Sequence, residues 1–201
     1  LRATKATKRQ LWALYTLTGK DYRDSGITKE EARSLISELK KEKQKELEKF
    51  KNLIERATLA ANIAADDRLE ELERQGPRYA VIDCDPITGK EKPDGAHIDP
   101  ETGKQKPGWQ MLDLCGGGWV RLSYKGKNRK FINALKRIGK GDGSGSWWDG
   151  DGWSLQKMNK GFGLSFRIMR QEVSVHQAAL EAAEKVLTEA GIDCWTFTYL
   201  D

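Results

Sequence analysis

The chain has 201 residues, 38% of them hydrophobic and 32% charged, and 35 Lys and Arg against 30 Asp and Glu leave a net charge of +5. That length suits one or two small domains, and no apolar run approaches the roughly 18 residues that cross a bilayer or forms a signal-peptide core near the start. Three widely spaced cysteines make no disulfide framework, so the expectation is a reduced, cytoplasmic protein.

The first elements are helical. Trp12, Leu14, Tyr15 and Leu17 crowd one short helix that Gly19 stops. Thr28 then caps a second helix, with Glu31 three residues on as its capping-box partner. Ala32, Leu35, Ile36 and Leu39 supply that helix with an apolar stripe. Beyond it no Pro or Gly occurs until Gly76, so a long helix can follow. Its seam is Leu47, Phe50, Leu53, Ile54, Ala57, Ala61, Ala64 and Leu69. The interval from Leu39 to Leu47 has no apolar seam and reads as a solvated stretch or a break. The Ala-rich half suits docking onto the rest of the chain; a coiled-coil dimer is the alternative.

The stretch Ala6-Thr7-Lys8-Arg9-Gln10-Leu11-Trp12, then Asp21-Tyr22-Arg23, then Thr28-Lys29-Glu30-Glu31-Ala32, covers about the first 40 residues. It resembles a short helical module of phage and plasmid proteins of Firmicutes, whose pattern runs "ATxKQLWALY…DYR…LTKEEASxLI". That pattern has Ser where this chain has Arg33. The resemblance implies a mobile-element protein in a host bacterial cell, encoded near recombination, replication or counter-defence functions.

Gly76-Pro77 ends the helices. "RYAVIDC" and "WQMLDLC" are strand-like and flank a repeated phrase, "DPITGKEKPDG" from Asp85 and "DPETGKQKPGW" from Asp99. Each "DPxTG" suits a tight turn, because Pro presets the second turn position and Gly accepts the left-handed conformation. Lys90, Lys92, Lys104 and Lys106 are matched by Asp85, Glu91, Asp94, Asp99 and Glu101. A charge-balanced finger is a poor phosphate clamp, so the expectation is a β-hairpin finger that links domains or contacts protein. Cys84, His97 and Cys115 lack the paired spacing of a zinc site, and no metal or other cofactor is expected.

From Trp119 the order reads strand, helix, strand, strand, helix, strand. "WVRLSYK" alternates. "NRKFINALKRIG" is amphipathic, with Phe131, Ile132, Leu135 and Ile138 on one face. "GKGDGSGS" reads as a flexible loop, "WWDGDGWSL" as a strand or tight hairpin and "FGLSFRIMRQE" as a strand. "SVHQAALEAAEKVLTEAG" is a capped helix, and "CWTFTYL" the last strand. This is the ferredoxin-like βαββαβ order. Alternation predicts three core sets: Val120, Leu122 and Tyr124; Leu164, Phe166 and Ile168; Trp195, Phe197 and Tyr199. The opposite face then carries Trp119, Arg121, Ser123, Lys125, Ser165, Arg167, Met169, Thr196 and Thr198, with Arg121 and Arg167 close together.

Charge points to the same domain. Between Trp119 and Arg170, twelve basic side chains stand against three acidic ones, a net of +9. Basic groups with interleaved tryptophans suit phosphate neutralisation and base stacking. The candidate nucleic-acid-binding residues are Arg121, Lys125, Lys127, Arg129, Lys130, Arg137, Trp147, Trp148, Arg167 and Arg170. No nucleophile constellation, phosphate-binding loop or acidic nuclease cluster is present, and "DGDG" from Asp149 reads as a turn. The expected fold class is therefore α+β: a helical region over 1–75, a hairpin finger over 76–118 and a basic ferredoxin-like domain over 119–201. The expected function is that of a non-enzymatic mobile-element accessory protein. It binds nucleic acid or a nucleoprotein complex, with counter-defence against a nucleic-acid-guided nuclease as one form. The alternative is a protein-binding adaptor working through its helices and finger.

Overall fold

The computed structural model describes residues 4–80, 102, 110–141, 145–150 and 152–201. Helix α1 (Lys8–Thr18) starts at a capping box. Thr7 Oγ1 accepts from Gln10 N at 3.3 Å, and Gln10 Oε1 accepts from Thr7 N at 3.0 Å. It stops at Gly19, whose φ of 74° needs a residue without a Cβ. Leu14 is fully buried, whereas Trp12 and Tyr15 are exposed.

Helix α2 (Lys29–Gln75) begins at the predicted capping box. Thr28 Oγ1 accepts from Glu31 N at 3.3 Å and the Glu31 carboxylate accepts from Thr28 N at 2.8 Å. These bonds from Thr28 hold the Glu31 carboxyl below its ordinary range. The helix is continuous for 47 residues, so the interval between Leu39 and Leu47 is a solvated stretch and not a break. It ends at Gly76, with φ 75°.

The chain forms two compact units, Leu1–Lys51 and Asn52–Asp201. They divide inside α2. In the second unit α2 buries Leu53, Ile54, Ala57, Ala61, Ala65 and Leu72. The stripe is thus shifted from the predicted Ala64 and Leu69 by the 3.6-residue period. Thr58 stands against Gly152, and Arg68 Nε donates to Ser174 Oγ at 3.3 Å. The second half of the helix thus buries one stripe within this unit, while Leu59 and Ile63 on its other side are exposed.

Strands β1 (Tyr79–Ala80) and β2 (Gln110–Met111) pair antiparallel, Tyr79 opposite Met111. This is the expected pairing of the two finger strands. The repeated phrase, apart from Thr102, and the Cys84 and His97 of the zinc reading lie outside the described residues.

The remaining elements are β3 (Gly116–Leu122), α3 (Gly126–Ile138), β4 (Lys140–Gly141), β5 (Ser146–Trp148), β6 (Trp153–Lys157), β7 (Phe162–Phe166), α4 (Val173–Glu189) and β8 (Cys194–Leu200). They build a six-stranded sheet in the order β4-β5-β6-β7-β3-β8, every neighbour antiparallel. The protein is α+β. Two ends of the expected Gly/Ser loop are strand: Lys140 pairs with Trp148 and Gly141 with Trp147, while 142–144 lie outside the described residues. Between β5 and β6, Asp149 Oδ1 accepts from Gly152 N at 2.9 Å and from Trp153 N at 3.0 Å. That carboxylate oxygen is committed to the turn.

Both α3 and α4 cover one face of the sheet. Val120, Leu122, Trp153, Leu155, Leu164 and Phe166 meet Phe131, Ile132, Leu135, Leu180, Ala183 and Leu187 in the core. Asn128 is the buried polar exception among the described residues. Its amide accepts from Asp193 N at 3.0 Å and donates to Asp193 O at 2.6 Å, so burial leaves neither end unpaired.

The "GGG" before Trp119 belongs to the sheet, not to a linker, so β3 starts three residues earlier than predicted. Gly116, Gly117 and Gly118 pair with Leu200, Tyr199 and Thr198. A Cβ on Gly118 would stand 2.7 Å from Leu180 Cδ1, and one on Gly116 3.0 Å from Val173 Cγ2. The glycines let α4, with its buried Ala179 and Ala183, lie close on the strands.

This close approach reverses the predicted faces of β8. Trp195, Phe197 and Tyr199 are exposed, and Thr196 Oγ1 is buried without a hydrogen-bond partner. Beneath an Ala-rich helix pressed onto glycines only small side chains fit, so Cys194, Thr196 and Thr198 face inward and the aromatics face out. Tyr124 is also exposed, because β3 ends at Leu122.

The N-terminus of α4 is held from outside. Glu172 provides no side-chain cap; Asp113 does, accepting from Ser174 N at 3.0 Å and from Leu114 N through its other oxygen. Burial alone would raise the Asp113 carboxyl, but the bonds from Ser174 and Leu114, with nearby Arg68, outweigh it and hold it below its ordinary range. At the edge of the sheet the Glu184 carboxylate accepts from Thr196 N at 2.6 Å.

Candidate nucleic-acid interface

Paired residues on neighbouring strands share a face, so the register defines the side that α3 and α4 leave uncovered. Arg121 lies opposite Gly163 on β7 and Trp195 on β8, Trp119 opposite Phe197, and Gly117 opposite Tyr199. Ser154 is opposite both Ser165 and Trp148, and Gln156 opposite Gly163. Across β5, β6, β7, β3 and β8 this face carries no carboxylate.

Its aromatic rings are ordered against one another. Trp119 stacks on Phe197 with centroids 6.1 Å apart and planes 13° apart. It stacks on Tyr199 at 5.1 Å and 23°. Phe197 is nonetheless 47% exposed, Tyr199 39% and Trp195 49%. Exposed aromatic surface of this extent beside a guanidinium is unusual on a free protein face. Arg121 is half-buried, and its Nη2 donates to Lys160 O at 3.4 Å.

The predicted site residues do not all meet there. Arg121 and Trp148 share the open face. Arg167 follows the end of β7, four residues beyond the Gly163 that faces Arg121, or about 13 Å along the strand. The two arginines are therefore not adjacent, and Arg167 Nη1 donates to Gly150 O at 3.1 Å. Lys125 is the N-cap of α3, and Lys127, Arg129, Lys130 and Arg137 are exposed along that helix, on the other side of the sheet. Lys127 Nζ donates to Ala190 O. Arg170 pairs with Glu172 at 3.2 Å.

Trp147 points to the helix-covered side, opposite the core residue Leu155. There Lys136 Nζ lies 4.8 Å from its ring, 4.3 Å from that of Phe162 and 5.2 Å from that of Tyr124. The ammonium sits among three π faces, so this ring is engaged in packing.

The residues that sequence alternation missed are Trp195, Phe197 and Tyr199. A signal for them existed: Cys194, Thr196 and Thr198 are the small partners that three consecutive glycines and an Ala-rich helix require. Among the described residues no group of three His, Cys, Asp or Glu is arranged to hold a metal ion, and no described helix is long and apolar enough to cross a membrane. Comparison with known proteins finds no matching family model, no similar curated protein and no similar solved structure.

Proposed function

We propose that this is a non-enzymatic accessory protein of a phage or other mobile element that binds nucleic acid, or a nucleoprotein complex, through the open face of its sheet. The observation that carries the reading is the half-exposed stack of Phe197, Trp119 and Tyr199 beside Arg121, on a face without carboxylates. Sheet-borne aromatics give bases a π surface and a guanidinium neutralises phosphate. The order β6-β7-β3-β8 with both helices on one face supports a ferredoxin-like core to which β4 and β5 add an edge hairpin. Counter-defence against a host nucleic-acid-guided nuclease is the form that the resemblance of the first 40 residues favours.

The test is binding of labelled RNA and DNA to the full chain over a salt series. Arg121→Ala is expected to weaken binding and to flatten the slope of log affinity against log salt by about 0.7 to 0.9 for one phosphate contact. Affinity and slope both unchanged in that variant would remove the face from the reading.

A protein-adaptor reading draws on a separate observation. Trp12 and Tyr15 are exposed on α1 and line a groove with Lys8, Leu11, Asp21 and Arg23. A pulldown from bacterial lysate with and without nuclease separates the two: partners captured equally after nuclease treatment favour the adaptor.

A further inference from the structure

We propose that the face takes single-stranded rather than duplex nucleic acid, with one unpaired base inserted between the rings of Trp195 and Phe197 and an adjoining phosphate on Arg121; this rests on the nucleic-acid reading above. The inner rings of the cluster use their π faces on each other, as Trp119 is stacked with Phe197 and with Tyr199. Trp195 is different. It lies on the same face, two residues from Phe197, and is 49% exposed. Among the described residues no aromatic ring is recorded against it.

The spacing suits a base. Same-face neighbours on an antiparallel strand are about 6.8 Å apart, and stacked nucleotides rise by about 3.4 Å. Rings held face to face at that backbone spacing leave one stacking interval on each side of an inserted plane. Arg121 is directly opposite Trp195 in the register, and its guanidinium, bonded to the Lys160 carbonyl, is the cation on the β7 side of that pair. A duplex cannot use such a slot, because the π faces of its bases are already covered by their neighbours and only its backbone and groove edges reach a flat sheet. A single strand offers free π faces of every base, and stacking needs no particular sequence.

The experiment uses the full chain and four labelled probes: octa-uridylate, octa-thymidylate, and a 16-base-pair duplex of RNA and of DNA. Fluorescence anisotropy is expected to give at least about tenfold tighter binding of one or both single strands than of the duplexes. Trp195→Ala is expected to weaken single-strand binding by about 5- to 150-fold, the range of one lost base stack. Trp195→Phe keeps a ring, so it is expected to retain most of the affinity while losing part of the tryptophan quenching on binding. Circular dichroism of each variant checks that the fold is intact. The comparison of uridylate with thymidylate identifies the preferred sugar, and tight binding of either supports the proposal. Equal affinity for duplex, or unchanged single-strand affinity in Trp195→Ala, overturns it, and loss of binding in Arg121→Ala would then show that the face still binds nucleic acid. No binding of any probe by the unaltered chain overturns both.

Discussion

Asp113 shows how one side chain joins three segments. It precedes β3, caps α4 through Ser174, and lies beside Arg68 of α2, which bonds both Ser174 and Glu71. Removing a cap of this kind costs about 0.5–2 kcal/mol, so Asp113→Ala is expected to lower stability by that amount at neutral pH. The folded-state carboxyl titrates below the ordinary value of 3.8. The unfolded state therefore binds the proton more readily, and the contribution is complete above that value and lost as pH falls through the lowered folded one. Denaturant melts of both proteins between pH 7 and 2 check this: the gap should be widest at neutral pH and narrow in acid. A gap that is constant with pH would mean that Asp113 acts by packing alone. Cys194 contrasts with it. Burial, with Glu184 and Asp193 nearby, pushes its thiol up to about 12, so it remains a small neutral core group.

At the scale of the element, the contact of α4 with β3 and β8 decides which side of the sheet is free. Gly118→Val is expected to destabilise by about 1–3 kcal/mol, because its side chain would fall on the Phe197 carbonyl of β8 and on Leu180 of α4, measured by thermal or denaturant unfolding. Gly117→Ala meets the Tyr199 hydroxyl and ring instead, at 2.8 Å and beyond, and that ring can swing on the open face, so a smaller loss is expected. Equal losses would show that the helix-side position is no tighter than the open-face one. Much of the element order was legible in sequence. The capping box at Thr28, stops at Gly19 and Gly76 and the periodicity of Phe131, Ile132 and Leu135 are local signals, and local chemistry specifies them. The face of β8 was not legible from that strand alone. "CWTFTYL" alternates equally well in both senses, and the choice was made by glycines some 80 residues earlier and by an Ala-rich helix. The candidate site shared that fate: Trp119 and Arg121 were placed on the open face by their own strand, whereas their aromatic companions depended on a tertiary contact.

On the scale of the whole molecule, the +9 of residues 119–170 is not one patch. It is divided between the open face, the ends of strands and the far side of α3, so composition overstated how many cations one ligand can meet. Among the described residues the same sheet ends at β8, whose one strand partner is β3. A naked edge of seven residues with three exposed aromatics is a template for another strand. Glu184 occupies it, because its carboxylate takes the outward Thr196 N–H at 2.6 Å and puts negative charge where an incoming carbonyl would dock. The residue thus works as a gatekeeper of colloidal behaviour. Glu184→Ala is expected to leave the helix formed but to make the protein self-associate with rising concentration. Light scattering or sedimentation would register that association, and a variant as monodisperse as the parent would relieve Glu184 of the role. One acidic side chain, reaching round from the helix behind the sheet, thus fills a hydrogen-bonding position at the edge of the aromatic strand.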